Sequence, residues 1–378
     1  RDNHTIDAIR GVFPMAHHQE GIELAGEIKE KGYQVFFQAA NSLGYSDSEL
    51  LKMVDEINRA QPSSLSIVDT FGAMYPQDLQ RIVTLVDHNL DPKIQLGFHS
   101  HNNLQLSYAL GIEFLRCLSE SQRGLIIDSS LCGMGRGAGN APTELIAYYL
   151  NKFQNASYDM NRILDAIDMY MGYFLEHYEW GYSTQYFISG SLCAHVNNIY
   201  YLTKTHRVNA RDMRAILESM PADKRTVYDY DALEEKYVEY QSRKIDDGVN
   251  LATLAEAVRE RNVLLLSPGE SIKSRRDIIN DYIAKNMPVV IGINAAFPGY
   301  NCDYLFFSNA HRLDYARETH PDTDSIPLLI TSNIKTYPYG KETLVFNYDD
   351  YIKLGWEFFD NSTIMCLRLL QKVGAERV

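Results

Sequence analysis

What most limits this chain is a rhythm. Between residues 6 and 150, short apolar runs rich in β-formers alternate with amphipathic helical stretches. The runs are Ile6–Phe13, Gln34–Ala39, Leu65–Thr70, Ile94–His99 and Leu125–Ser129. Strands this apolar, each followed by a helical pattern, predict a parallel sheet buried on both faces. Local signals agree. Gly21–Lys31 carries apolar residues at helical spacing and stops at Gly32, and Ser46 with Glu49 spells a capping box at the head of the next helix.

The polar residues in these runs, Arg10, Gln38, Asp69, His99 and Asp128, all fall late. Carboxyl ends of strands are where a (β/α)8 barrel builds its site, whereas a stabilising position would be apolar. The expected class is therefore α/β, with residues 1–150 forming strands 4–8 of a TIM-type (β/α)8 barrel. Five βα units do not close such a barrel. Because Arg1 rather than Met opens the sequence, the first strands are expected upstream.

Residues 151–261 lack β-alternation and read as a helical extension and linker, with helical periodicity over Asn161–Leu175 and Leu233–Arg259. From residue 262 to 378 a second α/β pattern predicts a Rossmann-like domain. Its strand-bearing runs are expected at Val263–Gly269, which ends in a Pro-Gly turn, and at Val289–Asn294, Tyr304–Ser308, Ile326–Thr331 and Thr343–Phe346. The turn after the first of them puts Gly269 and Ser271 where doubly wound folds bind phosphate. The further glycines of a dinucleotide fingerprint are missing, which disfavours a nicotinamide cofactor.

Composition narrows the partners. With 36 Lys and Arg against 49 Asp and Glu, the formal charge is −13. Neither nucleic acid nor an anionic membrane suits such a chain. No apolar stretch approaches the roughly 18 residues of a membrane span, no signal peptide is apparent, and a cytoplasmic location is expected. Cys117, Cys132, Cys193, Cys302 and Cys366 are odd in number and scattered, so buried free thiols are expected rather than a disulfide framework.

The chemistry centres on Gly97-Phe-His-Ser-His-Asn-Asn103. Side chains two apart on a strand share a face, so His99 and His101 can converge on one divalent ion while Ser100 turns away. Gly133, Gly135, Gly137 and Gly139 form a loop able to approach a ligand closely, and Asn140 at its end offers a hard carbonyl oxygen. Gln38 and Asp69 stand on neighbouring strand ends, placed to orient the imidazoles or bind substrate. A turn-capping role is the alternative for Asp69. His17 and His18 read as a solvated loop, and His195 as part of a helical, aromatic stretch.

Three linked motifs, Ile67-Val-Asp-Thr-Phe-Gly72, Gly97-Phe-His-Ser-His-Asn-Asn-Leu104 and Gly133-Met-Gly-Arg-Gly-Ala-Gly-Asn140 followed by Thr143-Glu144, resemble the DRE-TIM metallolyase (HMG-CoA lyase-like) family. The resemblance is closest to its 4-hydroxy-2-oxovalerate aldolase branch. The lyase branch carries a catalytic cysteine in the glycine loop where this chain has Arg136 and Ala138; Cys132 precedes the loop and is expected to pack. The resemblance implies metal ligands at His99, His101 and Asn140, substrate contacts from Arg136, and Mn2+ or Mg2+ as the metal. Zn2+ or Co2+ would accept the same donors. It further implies aldol cleavage or formation of a carbon–carbon bond through a 2-oxo-acid (pyruvate) enolate, with an aldehyde as the other partner and a homo-oligomer as the assembly. The family's arginine and base belong to the first strands, so the catalytic residues are expected upstream and none is assigned here. The alternatives are a Claisen-type acyl transferase or HMG-CoA-lyase-like enzyme, and an inactive barrel serving as scaffold for a nucleotide- or sugar-phosphate-binding carboxyl domain.

Overall fold

The rhythm of the first 150 residues folds as β1 (Ala8–Phe13), α1 (His18–Glu30), β2 (Gln34–Ala39), α2 (Asp47–Ala60), β3 (Ser64–Asp69), α3 (Pro76–Asn89), β4 (Gln95–Ser100), α4 (Ser107–Cys117), β5 (Leu125–Ile127) and α5 (Thr143–Phe153). The computed structural model describes residues 5–335, 342–354, 356 and 358–378. It divides into two units, Arg1–Tyr201 with Pro221–Tyr228, and Leu202–Met220 with Asp229–Val378.

In the first unit the strands pair in parallel in the order β1-β2-β3-β4-β5. Alternation decides the faces. Val35, Phe37, Leu65, Ile67, Leu96 and Phe98 point one way, into a core with Ile57, Ile82, Val86 and Phe114 of the helices. Burying each such side chain stabilises by about 1.5–3 kcal/mol. Arg10, Gln38, Ser66, Gly97 and His99 point the other way. In a flat sheet β1 and β5 would stand roughly 19 Å apart, four spacings of about 4.8 Å. Arg10 Nη1 nevertheless lies 2.8 Å from Asp128 Oδ2, just past β5. The sheet is thus curled into an arc, with its polar face on the concave side, as in part of a barrel wall.

The capping box forms as expected: Ser46 accepts from the Glu49 amide while the Glu49 carboxylate accepts from the Ser46 amide. His18 departs from expectation. It opens α1 half-buried, with Nε2 3.3 Å from Glu56 of α2, rather than lying in a solvated loop. The helical region of this unit runs through α6 (Met160–Ala166), a π turn at Ile167–Met171, α7 (Gly172–His177) and α8 (Thr184–Ser191); α9 (Val196–Lys204) follows it.

Further on come α10 (Ala210–Ser219), α11 (Ala222–Arg225), α12 (Tyr230–Gln241) and α13 (Gly248–Val258). The single periodic stretch expected over 233–259 is two helices. Ile245 breaks it by exchanging hydrogen bonds with the Asn347 side chain, donating its amide at 2.9 Å and accepting at 3.0 Å.

The second unit's sheet contains β6 (Val263–Leu266), β7 (Val289–Ile293), β8 (Tyr304–Phe307), β9 (Leu328–Thr331) and β10 (Thr343–Phe346), with α14 (Glu270–Ser274), α15 (Arg276–Asn286), α16 (Ala310–Thr319) and α17 (Ser362–Lys372). It is parallel α/β, covered on one face by α13 and α17 through Leu254, Val258, Met365 and Leu369. The other face packs on the crossover helices through residues such as Ile272, Leu313 and Ala316. Its strand order is monotonic, β6 to β10. The reversal of order that opens a ligand crevice in a doubly wound sheet is therefore absent from these strands.

All five cysteines are free, but only Cys366 is buried; Cys117 is exposed on the last turn of α4 and the rest are half-buried. Spacing alone did not reveal that Cys117 faces away from the core. No helix among the described residues is long and apolar enough to cross a membrane.

Candidate metal centre

His99 is the fifth residue of β4, on the concave face, and His101 follows the strand's end. Their ring centroids are 5.2 Å apart with planes at 79°. Register supplies the first partner. Phe98 pairs with Ile127, so the next residues along, His99 and Asp128, are neighbours on one face. His99 Nδ1 lies 3.1 Å from Asp128 Oδ2. As the donor to a carboxylate, Nδ1 carries a proton, which makes Nε2 the nitrogen left to serve as a ligand. Asp128 also takes the Arg10 guanidinium, and its carboxyl is held below the usual range: burial opposes this, but His99 and Arg10 outweigh it.

His101 is brought to the glycine loop by an antiparallel bridge between His101 and Asn140. Burial, reinforced by His99, pushes its pKa down to about 4, so the ring is neutral and able to ligate. The loop itself is tightly held. The Asn140 amide donates to the Gly133 carbonyl at 2.9 Å, and Asn140 Nδ2 donates to the Met134 carbonyl at 2.9 Å. Gly139 has φ +90°, and a Cβ there would sit 2.1 Å from the Gly133 carbonyl oxygen, so only glycine fits. Asn103 threads the two loops together, accepting from the Ala138 amide at 2.9 Å and donating to the Phe71 carbonyl at 3.0 Å.

This arrangement leaves Asn140 Oδ1 buried without a hydrogen-bond partner. Such an oxygen costs about 1–3 kcal/mol unless something compensates it. A neutral His101 imidazole, a second imidazole 5.2 Å from it and an amide oxygen without a partner on the adjoining loop fit a divalent cation. Among the described residues, no group of three or more His, Cys, Asp or Glu that could hold a metal is present.

Of the other expected contacts, Gln38 lies on the concave face, donating from Nε2 to Ser66 Oγ at 2.9 Å; its row of paired residues also holds Gly97, two positions before His99. Asp69 is turned away. It alternates with Leu65 and Ile67 toward the helices, and its carboxylate accepts from the Ala73 and Met74 amides at 2.9 and 3.2 Å. Burial pushes its pKa up to about 6. Capping the turn, the alternative role, is what the geometry of Asp69 serves. Arg136 is exposed, with Nη2 donating to Asn197 Oδ1.

Sequence reasoning placed Asp128 at a strand end without tying it to His99. It also did not foresee that the helical segment supports the glycine loop. Trp180 Nε1 donates to the Cys132 carbonyl at 2.9 Å, and the Asn197 amide donates to His195 Nδ1 at 3.1 Å. Burial and then Arg136 push the His195 pKa down to about 4. In the other unit, Gly269 and Ser271 flank the start of a five-residue helix, α14, with Ser271 exposed.

A parallel βα arc with paired histidines at a strand end and an asparagine-bearing glycine loop bridged to one of them is an α/β domain with the parts of a candidate metal site. Residues 15–169 match the HMGL-like family model. A 4-hydroxy-2-oxovalerate aldolase of Thermomicrobium roseum is 45% identical over 103 residues, 27% of this chain and 27% of its own length. An oxaloacetate decarboxylase of Mycobacterium tuberculosis is 30% identical over 139 residues, 36% of this chain and 39% of its own. A solved hydroxymethylglutaryl-CoA lyase from Pseudomonas aeruginosa aligns with TM-score 0.38 and 16% identity, covering 47% of this chain and 65% of that one. The chain spans between about a quarter and two-fifths of the length of the curated relatives it matches.

Proposed function

We propose that this protein is a divalent-metal-dependent carbon–carbon lyase or aldolase acting on a 2-oxo acid, with pyruvate as product or donor. The observation that carries the reading is the buried, unpartnered Asn140 Oδ1 on a loop bridged to His101, whose ring is neutral and whose centroid lies 5.2 Å from that of His99. His99, His101 and Asn140 would hold the metal. A bound Mg2+ or Mn2+ supplies Lewis-acid polarisation of the 2-oxo acid's oxygens. Asp128 fixes the His99 tautomer, and Arg10 neutralises Asp128 so that the carboxylate need not compete for the ligand site. Arg136, exposed on the glycine loop without a carboxylate partner among the described residues, is placed to meet an anionic group of the substrate. Gln38 donates a hydrogen bond along the concave face and supports its floor.

The test is pyruvate release from 4-hydroxy-2-oxovalerate by the full-length protein with Mn2+, followed by coupled reduction of pyruvate. Release that stops on chelation and in a His99→Ala, His101→Ala variant supports the reading. Likeness to an oxaloacetate decarboxylase favours one second reading, decarboxylation of oxaloacetate through the same kind of enolate. Turnover of oxaloacetate without cleavage of the hydroxy acid would select it.

A further inference from the structure

At the carboxyl ends of β8 and β9, in the second unit, Arg207, Asn209, Asp212, Gln241, Asn309 and His311 surround a small pocket. Two helices open onto it. Asn209 caps α10 and Asn309 caps α16, each ten residues long, so both positive helix ends face one place. The pocket's floor holds an anomaly. Gln241, the last residue of α12, is only 6% exposed, yet its side-chain amide makes no hydrogen bond among the described residues. The neighbouring Asn333 is satisfied, accepting from Thr331 and donating to the Ser308 carbonyl at 2.9 Å. The Gln241 amide borders the open space of the pocket, free to bond a ligand there.

The charge around the pocket runs against the acidity of the chain as a whole. Arg207 lines it with no ion-paired carboxylate among the described residues. Arg211, Arg243 and Lys335 gather about Asp212, whose Oδ1 already accepts from the Tyr240 hydroxyl at 2.9 Å. Burial and these neighbouring arginines hold the Lys335 ammonium below its usual range, with Asp212 opposing them. Of these charged groups Arg207 and Asp212 line the pocket itself, and the Asp212 carboxylate is the one already engaged.

We propose that this pocket binds the phosphate group of a small phosphorylated ligand, with one oxygen on the Gln241 amide and the others on Arg207 and the first-turn amides of α10 and α16. The enclosed floor measures about 10 Å3, room for one oxygen-sized group, so the rest of the ligand stays at the mouth. This differs from the phosphate position expected at Gly269 and Ser271, and it is independent of any reading of the first unit.

Inorganic phosphate is the probe, titrated by calorimetry into the full-length protein at constant ionic strength, with acetate as the comparison anion. Saturable binding of one phosphate, stronger than acetate and accompanied by a rise in Tm, is expected. Arg207→Gln weakens it about tenfold or more, the loss of a charge-assisted contact. Gln241→Leu weakens phosphate binding too, but leaves the phosphate-free Tm near the wild-type value, because the amide it removes makes no hydrogen bond among the described residues. Absence of saturable binding, acetate binding as tightly as phosphate, or unchanged phosphate affinity in Gln241→Leu would overturn the proposal.

Discussion

His99 Nδ1 stands 3.1 Å from Asp128 Oδ2, and that contact decides which imidazole nitrogen remains for a metal. Replacing Asp128 by Asn weakens this orientation without changing side-chain size. Asp128→Asn should lower Mn2+ affinity roughly 10- to 100-fold, the usual effect of losing such a partner. Nitrogen-15 NMR of the metal-free protein should show His99 shifting from one tautomer to a mixture. A single unchanged tautomer with unchanged affinity would contradict the assignment.

Asp69 serves the fold. Asp69→Ala strands the Ala73 and Met74 amides and should cost about 1–3 kcal/mol in urea unfolding. Asp69→Asn, which keeps an acceptor, should cost less. Mn2+ affinity should stay at the wild-type value in Asp69→Asn, which separates capping from a place in the ligand sphere.

Gly139 and Gly26 should respond in opposite directions to alanine. At Gly139 the φ of +90° and the Gly133 carbonyl leave no room, so Gly139→Ala should destabilise the loop and weaken metal binding together. Gly26 lies inside α1, and a Cβ there meets nothing within 4 Å. Gly26→Ala should add about 0.5–1 kcal/mol of stability. Denaturation midpoints of the two variants check both signs.

His206 makes the second unit's stability depend on pH. The ring is 4% exposed, with Nε2 2.6 Å from Glu234 and Nδ1 3.7 Å from Asp360. Burial opposes its charging, but Asp360 and Glu234 outweigh burial and raise its pKa. A folded pKa above the unfolded one means that the stabilisation is fully present below about pH 6.5 and is lost as pH rises through the raised value. The urea midpoint should fall over that window in the wild type, and the slope should flatten in His206→Gln.

Much of this fold was legible in the sequence because strand and helix signals are local. The strands at 34–39, 263–266, 289–293, 304–307, 328–331 and 343–346 lie where their apolar runs predict. Strand order is not local, so the monotonic run from β6 to β10 could not be read in advance. The break between α12 and α13 depends on Asn347, about a hundred residues away, and periodicity does not see it. At the site, the His99–His101 spacing was enough to bring both rings together. Their support was not: Asp128 reaches His99 through strand register, and Arg10 reaches Asp128 only because the sheet curls. For Asp69 the sequence left substrate binding and turn-capping open, and its alternation with Leu65 and Ile67 favours the capping bonds to Ala73 and Met74.

The central claim is that His99, His101 and Asn140 hold a divalent cation. Mn2+ titration of the full-length protein, followed by electron paramagnetic resonance of the free ion, tests it most directly. The account predicts one tight Mn2+ per chain, weakened in Asn140→Ala and abolished in His99→Ala, His101→Ala. Wild-type affinity in that double variant would contradict it.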